Sequence, residues 1–246
     1  MNTHTPYEAV TALRAHPDLP GGSDERFAGY GVMGIPFASG HYLALREMLA
    51  SSLGAPYRTI WHRDPQGRWT IHTTTDPAAS CPRYFGAGAD VRRVPAIDIS
   101  WTDGSQVEVA LGDELRWRLE LASSPATRIL TAMGAAMPMR ALTSASVLTV
   151  MGPMAGAVLG SGRMRLCGRT PNGPLFRATP LQVWRVASAE ATHRGQNLGA
   201  PAPLDVQTAL GDFWLPQRGL FFVGQASFTP PPARAGDVVA DDAEVA

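Results

Sequence analysis

Lysine is missing from this chain: of its 246 residues, the 21 basic ones are all arginine. A guanidinium keeps its charge at any cellular pH, so no side-chain amine can lose a proton to form a Schiff base, and a phosphate loop has no lysine to use. Pyridoxal-phosphate enzymes, Schiff-base aldolases and decarboxylases, and Walker-type nucleotidases are excluded. The bias itself is what a GC-rich genome produces. Cysteine is scarce too. Cys81 and Cys167 form no CxxC pair, so neither a zinc ribbon nor a disulfide framework is expected and the compartment is read as reducing. Net charge is zero, which gives no electrostatic footprint for nucleic acid. MNTHTPYEAV lacks the basic start and apolar core of a signal peptide, so a cytoplasmic location is expected.

Familiar catalytic signatures are absent as well. There is no GxSxG elbow, and the six histidines show neither HxH nor HExxH. Gly29 to Gly34 spell GxGxxG, but a polar stretch precedes them and Ile35-Pro36 follows. The dinucleotide fingerprint needs a strand before it and a helix after it, so these glycines are read as chance spacing or as a strand with close backbone approach. No cofactor and no preassembled metal motif is expected.

What is present is alternation. In IWHRDPQGRWTIH, Asp64-Pro65-Gln66-Gly67 is a turn that places Trp61 opposite Ile71, His62 opposite Thr70 and Ile60 opposite His72. Trp61, Trp69 and Ile71 then share one face, and His62 and His72 lie diagonally on the other. From Ile97 to Leu121, apolar residues at every second position predict an antiparallel meander, with Glu108 facing Arg118 as a check on register. A third hairpin turns at Thr170-Pro171-Asn172-Gly173, with Met164, Leu166, Phe176 and Ala178 on one side and four arginines on the other. Ser39 before HYLALREMLA reads as an N-cap, predicting a helix there. A capping box at Thr5 to Glu8 predicts another.

The expected fold is mainly β: an antiparallel β-barrel or barrel-like sheet of lipocalin-like type with a short apolar helical insertion. Residues 1–26 are read as a peripheral helix and loop, 27–229 as one barrel-like domain with the insertion at 125–160, and 230–246 as a disordered acidic tail. Six of the nine methionines fall between Met133 and Met164, and such unbranched, polarizable side chains suit a surface that fits irregular apolar shapes. Gly152, Gly156 and Gly160 recur in a charge-free stretch, but serine, threonine and proline dilute it too far for a transmembrane span. Peripheral membrane contact remains open.

From SGRMRLCGRTPNGPLFRATPLQVWRV to HRGQNLG, the alternation, the PNG turn and the late tryptophan resemble strands of the lipocalin-like proteins that include carotenoid hydratases. The match covers about a third of the chain and is a strand-and-turn pattern, so no catalytic residue is carried over. The chain is short for the two barrel-like halves of that family, and the helical insertion departs from it. The resemblance implies a sheet around an apolar ligand and water addition or isomerisation on an isoprenoid-like substrate.

Three functions stay open. The first is binding of a small apolar, lipid or isoprenoid-like molecule in a barrel cavity, with Met133, Met137, Met151, Met154, Trp61 and Trp69 as ligand contacts. The second is a lyase, hydratase or isomerase using His62 and His72 with Asp98 as acid-base candidates. The third is a non-catalytic partner-binding or membrane-surface protein acting through residues 125–160. Oligomeric state is not encoded in any motif.

Overall fold

The computed structural model describes residues 5–229. Helix α1 (Pro6–Ala15) is followed by strands β1 (Glu25–Pro36), β2 (Tyr42–Ser51), β3 (Tyr57–Arg63) and β4 (Trp69–Thr73), then by the short helix α2 (Pro82–Phe85). Next come β5 (Asp90–Arg93), β6 (Asp98–Trp101), β7 (Gln106–Leu111) and β8 (Leu115–Ala122), and the helices α3 (Pro125–Ala136), α4 (Met139–Leu142) and α5 (Ala145–Leu159). The chain ends in β9 (Cys167–Arg169), β10 (Leu175–His193), β11 (Gln196–Asn197), β12 (Ala209–Leu210), β13 (Phe213–Trp214) and β14 (Leu220–Thr229).

One sheet runs β5-β4-β3-β2-β1-β14-β10-β8-β7-β6, with β9 and β11 added beside β10. Every pairing in it is antiparallel except β4 with β5. It curls into a half-barrel. Register shifts in β1 between Val32 and Gly34, and in β10 between Pro180 and Gln182 and between Val186 and Ser188, add the local bend and twist that bulges produce. The predicted hairpin is observed pair for pair, including Trp61 with Ile71 and His62 with Thr70. Its turn is closed by Asp64 N–H donating to the Arg68 carbonyl, with Gly67 in the left-handed region at φ +89°. The meander is likewise observed, with Glu108 facing Arg118.

The curl divides the interior in two. Its concave face gathers Tyr30, Leu43, Leu45, Ile60, Val109, Trp117, Leu119 and Phe221, drawn from strands far apart in the sheet order. Large side chains fill it. The convex face of β1 to β4, β14 and the start of β10 carries a second cluster with Phe27, Met48, Tyr57, Trp61, Phe176 and Phe228, covered by α2, α5 and β13. Strands β7 and β8 alternate buried and partly or fully exposed residues, whereas β1 and β2 are buried almost throughout.

HYLALREMLA is therefore a strand and not the expected helix. Tyr42 to Met48 pair with β3 on one side and β1 on the other, and burial of both faces erases the period-2 signal, as in other doubly covered strands. Ser39 belongs to a tight turn in which Phe37 N–H donates to His41 O at 2.9 Å. Helix α1 has the predicted reciprocal cap between Thr5 and Glu8. Its Ala9 and Val10 are buried in the concave core. The Gly29–Gly34 run lies within β1, where Gly31 lets the β2 backbone at Arg46 come so close that an added Cβ would lie 3.1 Å from Arg46 Cα.

The insertion forms the expected helices, started by Ser124 accepting from Thr127 N–H. Pro153 sits inside α5. The glycine spacing serves the fold: a Cβ on Gly152 would lie 2.9 Å from Met164 O, and one on Gly156 would strike Gly162 O. These glycines seat α5 directly on the backbone of residues 162–166. Among the described residues no helix is long and apolar enough to cross a membrane. The expected acidic tail lies outside the described residues.

Candidate functional site

Strand β2 carries Arg46 and Glu47 in succession, and the pleat sends them to opposite faces. Glu47 enters the concave side, where Tyr30 Oη donates to it and the guanidiniums of Arg14 and Arg58 lie at 3.1 and 2.8 Å. Arg46 enters the convex side and is 5% exposed. Its Nη1 donates to the carbonyls of Val32 and Leu45, and Nη2 donates to that of Met33. Among the described residues it has no carboxylate partner. An arginine has five N–H donors, so one on Nε and one on Nη2 remain without an acceptor among those residues. Aromatic faces surround the group, with Trp61 and Phe222 each 5.2 Å from the guanidinium carbon. Burial pulls its pKa down to about 10, so it stays charged at neutral pH.

Arg46 borders a cavity of about 120 Å³ between the convex face and the helical cover. Its floor is largely bare backbone, since Gly29 and Gly224 are cross-strand partners and Pro180 pairs with Gly224. Phe27, Trp61, Phe176 and Phe222 form apolar walls, and Leu130, Met151, Ala155 and Leu159 close it from above. Tyr57 and Cys81 add a hydroxyl and a thiol 3.6 Å apart. Burial pushes the Cys81 thiol up and outweighs the hydrogen bond from Tyr57 and the charge of Arg46, which act the other way. It is an un-ionised thiol at neutral pH.

Of the residues expected to touch a ligand, Trp61 and Met151 line this cavity, and Trp69 packs in the apolar cluster around it. Met137 is half-buried, while Met133 and Met154 are exposed on the outer side of the helices. The cavity lies beneath those helices and not inside the curl, because the concave face is already filled. Asp98 is exposed on β6, the last strand of the sheet order. His62 and His72 alternate with Trp61 and Ile71 and so project from the face opposite the cavity.

On that concave side the curl brings together residues from three strand ends. His41, in the turn before β2, places Nδ1 2.8 Å from Nε2 of His62 on β3, with the rings stacked at 5.0 Å. His193, at the end of β10, lies 4.4 Å from the His62 ring and 5.8 Å from that of His41. One ligand atom from each of the three falls within 4.8 Å of the others, the arrangement among these residues that could hold a metal ion. Desolvation first, then the neighbouring imidazoles, drive the His62 pKa down to about 3. Burial and His193 lower His41, against a weaker pull from Asp64. Glu114 lies 3.5 Å from His193 Nε2 and also pairs with Arg194. His72 is close by electrostatically, and its Nδ1 is buried with no hydrogen-bond partner among the described residues.

Two of these features were not singled out from sequence. Arg46 sat in a segment read as a helix, although one arginine within an otherwise apolar LALREML run was a usable signal. His193 had none, since only the curl of the sheet brings it to His62.

No family model matches the chain, and no curated protein does. Among solved structures it is similar to an acetoacetate decarboxylase from Legionella pneumophila, at 9% identity over 86% of this chain and 89% of that one, with a TM-score of 0.37. A second acetoacetate decarboxylase structure is similar at 9% identity over 88% and 90%, with a TM-score of 0.39. Neither is a carotenoid hydratase. Similarity at these values assigns no activity or substrate to the chain.

Proposed function

We propose that this protein binds a small amphiphilic anion, a carboxylic acid with an apolar body, in the cavity bordered by Arg46. The observation that carries the reading is the buried guanidinium with no carboxylate partner among the described residues, facing a mainly apolar space. A buried charge without a counter-charge is unfavourable, and an anion accepting from it is correspondingly favoured. Engineered apolar cavities of about 150 Å³ admit benzene, so a cavity of about 120 Å³ suits a body of similar or slightly smaller size. The ligand's apolar part would rest on Trp61 and Phe222, and Met151 would adapt to its shape.

A lyase or isomerase reading built on His62, His72 and Asp98 is less well supported, because none of them borders this cavity. The binding reading is tested by calorimetry with hexanoate and 1-hexanol. Hexanoate is expected to bind at least tenfold more tightly, and Arg46→Met is expected to abolish the preference. Equal affinity for both probes, or an unchanged preference in Arg46→Met, would overturn it.

One observation favours a second role for the cover. Val150, Met154 and Val158 recur at helical spacing on α5 and are 61%, 44% and 51% exposed. That stripe supports contact with a membrane surface or partner. Vesicle co-sedimentation should fall in Val150→Ser/Val158→Ser if the contact is with lipid.

A further inference from the structure

We infer that His41, His62 and His193 form a binding site for a divalent transition-metal ion of the zinc type, on the sheet face opposite the Arg46 cavity. Three nitrogen donors of one chemical class converge within 4.8 Å, and they come from the 37–41 turn, the end of β3 and the far end of the longest strand of the sheet. Imidazole is a preferred ligand for zinc and its neighbours in the first transition row, and three protein ligands with one open position is the usual donor count of a reactive zinc centre.

The surroundings suit such an ion. His62 is held in register by Leu43 on one side and Thr70 on the other, and His193 is paired with Leu115, so two of the donors stand on rigid backbone. Glu114 beside His193 Nε2 supplies the carboxylate that commonly orients a metal-bound imidazole. The half-buried His41 leaves the cluster open on one side. With zinc–nitrogen distances of about 2.0–2.1 Å, tetrahedral ligand nitrogens stand about 3.3 Å apart. The 2.8 Å His41–His62 pair would open by about half an ångström, and side-chain rotation of His41 in its turn can provide that movement.

The test is titration of the chelator-treated full chain with Zn²⁺ by calorimetry, paired with Co²⁺ absorption spectroscopy. One equivalent of Zn²⁺ is expected to bind, with Co²⁺ giving the visible bands of a low-coordinate nitrogen site. His41→Gln and His193→Gln, both at half-buried positions, are expected to weaken Zn²⁺ at least 100-fold while circular dichroism stays unchanged, and His62→Gln to abolish binding. His16→Gln, outside the cluster, serves as the control. Weak binding of several equivalents, or binding that none of the three substitutions alters, would overturn the inference. So would a protein that takes up no Zn²⁺ at 100 times its own concentration.

Discussion

Arg46 and Glu47 share one strand and differ in nearly everything else. Glu47 meets two guanidiniums and a phenol on the packed concave side, while Arg46 meets three carbonyl oxygens, aromatic faces and open space on the convex side. The first arrangement is complete, and it ties α1 and β3 to β2. The second leaves donor capacity over. A side chain that closes its own network serves the fold, and one that does not is available to something else.

The strongest way to separate the faces is to hollow out the concave one. Trp117→Ala is expected to cost about 3–5 kcal/mol of stability, measured by urea unfolding, while hexanoate affinity of the remaining folded protein stays within twofold. Next in size is the contrast within β2. Glu47→Gln strands two arginines that are each about one-third exposed, so solvent softens the usual penalty and a loss of about 2–3 kcal/mol is expected. Arg46→Met removes an uncompensated charge instead and should leave stability within about 1 kcal/mol, or raise it. If Arg46→Met proves as damaging as Glu47→Gln, the two faces are not different in kind.

Smaller effects sharpen the same division. Cys81 borders the cavity, whereas Cys167 does not and is more exposed. Iodoacetamide should label Cys167 first, and saturating hexanoate should slow labelling of Cys81 alone, as read by peptide mass spectrometry. The smallest effect concerns acid. At Glu25 partial burial opposes ionisation, but hydrogen bonds from Arg83 and Tyr84 outweigh it; at Glu114 the pair with Arg194 does the same. Both carboxyls titrate below their usual value when folded, so the unfolded chain takes up protons first as pH falls. Their stabilisation is present above about pH 4.5 and is lost below it, a gentle decline in Tm that Arg83→Gln should reduce.

The meander was legible because only one of its faces is fully covered, so burial writes itself into sequence as alternation from Ile97 to Leu121, and the first hairpin, buried on both faces, was legible from its Asp64-Pro65-Gln66-Gly67 turn. Strand β2 was not, because its two covered faces accept apolar residues at successive positions, and an apparent N-cap at Ser39 then favoured the wrong period. The candidate sites followed the same rule. Trp61 and Met151 could be named from residue type and neighbourhood, whereas Arg46 required knowing that its segment was a strand. His62 could be named from sequence as an acid-base candidate, but His193 joins it only through curvature, which local pattern does not encode.

The glycines of α5 have a bearing on how anything could reach Arg46. Because Gly152 and Gly156 press that helix onto the chain that follows it, roof and adjoining wall meet backbone against backbone. Met151 and Met164 line the cavity from the two sides of that contact. A guest of the proposed kind would then meet two adaptable thioether side chains along that seam.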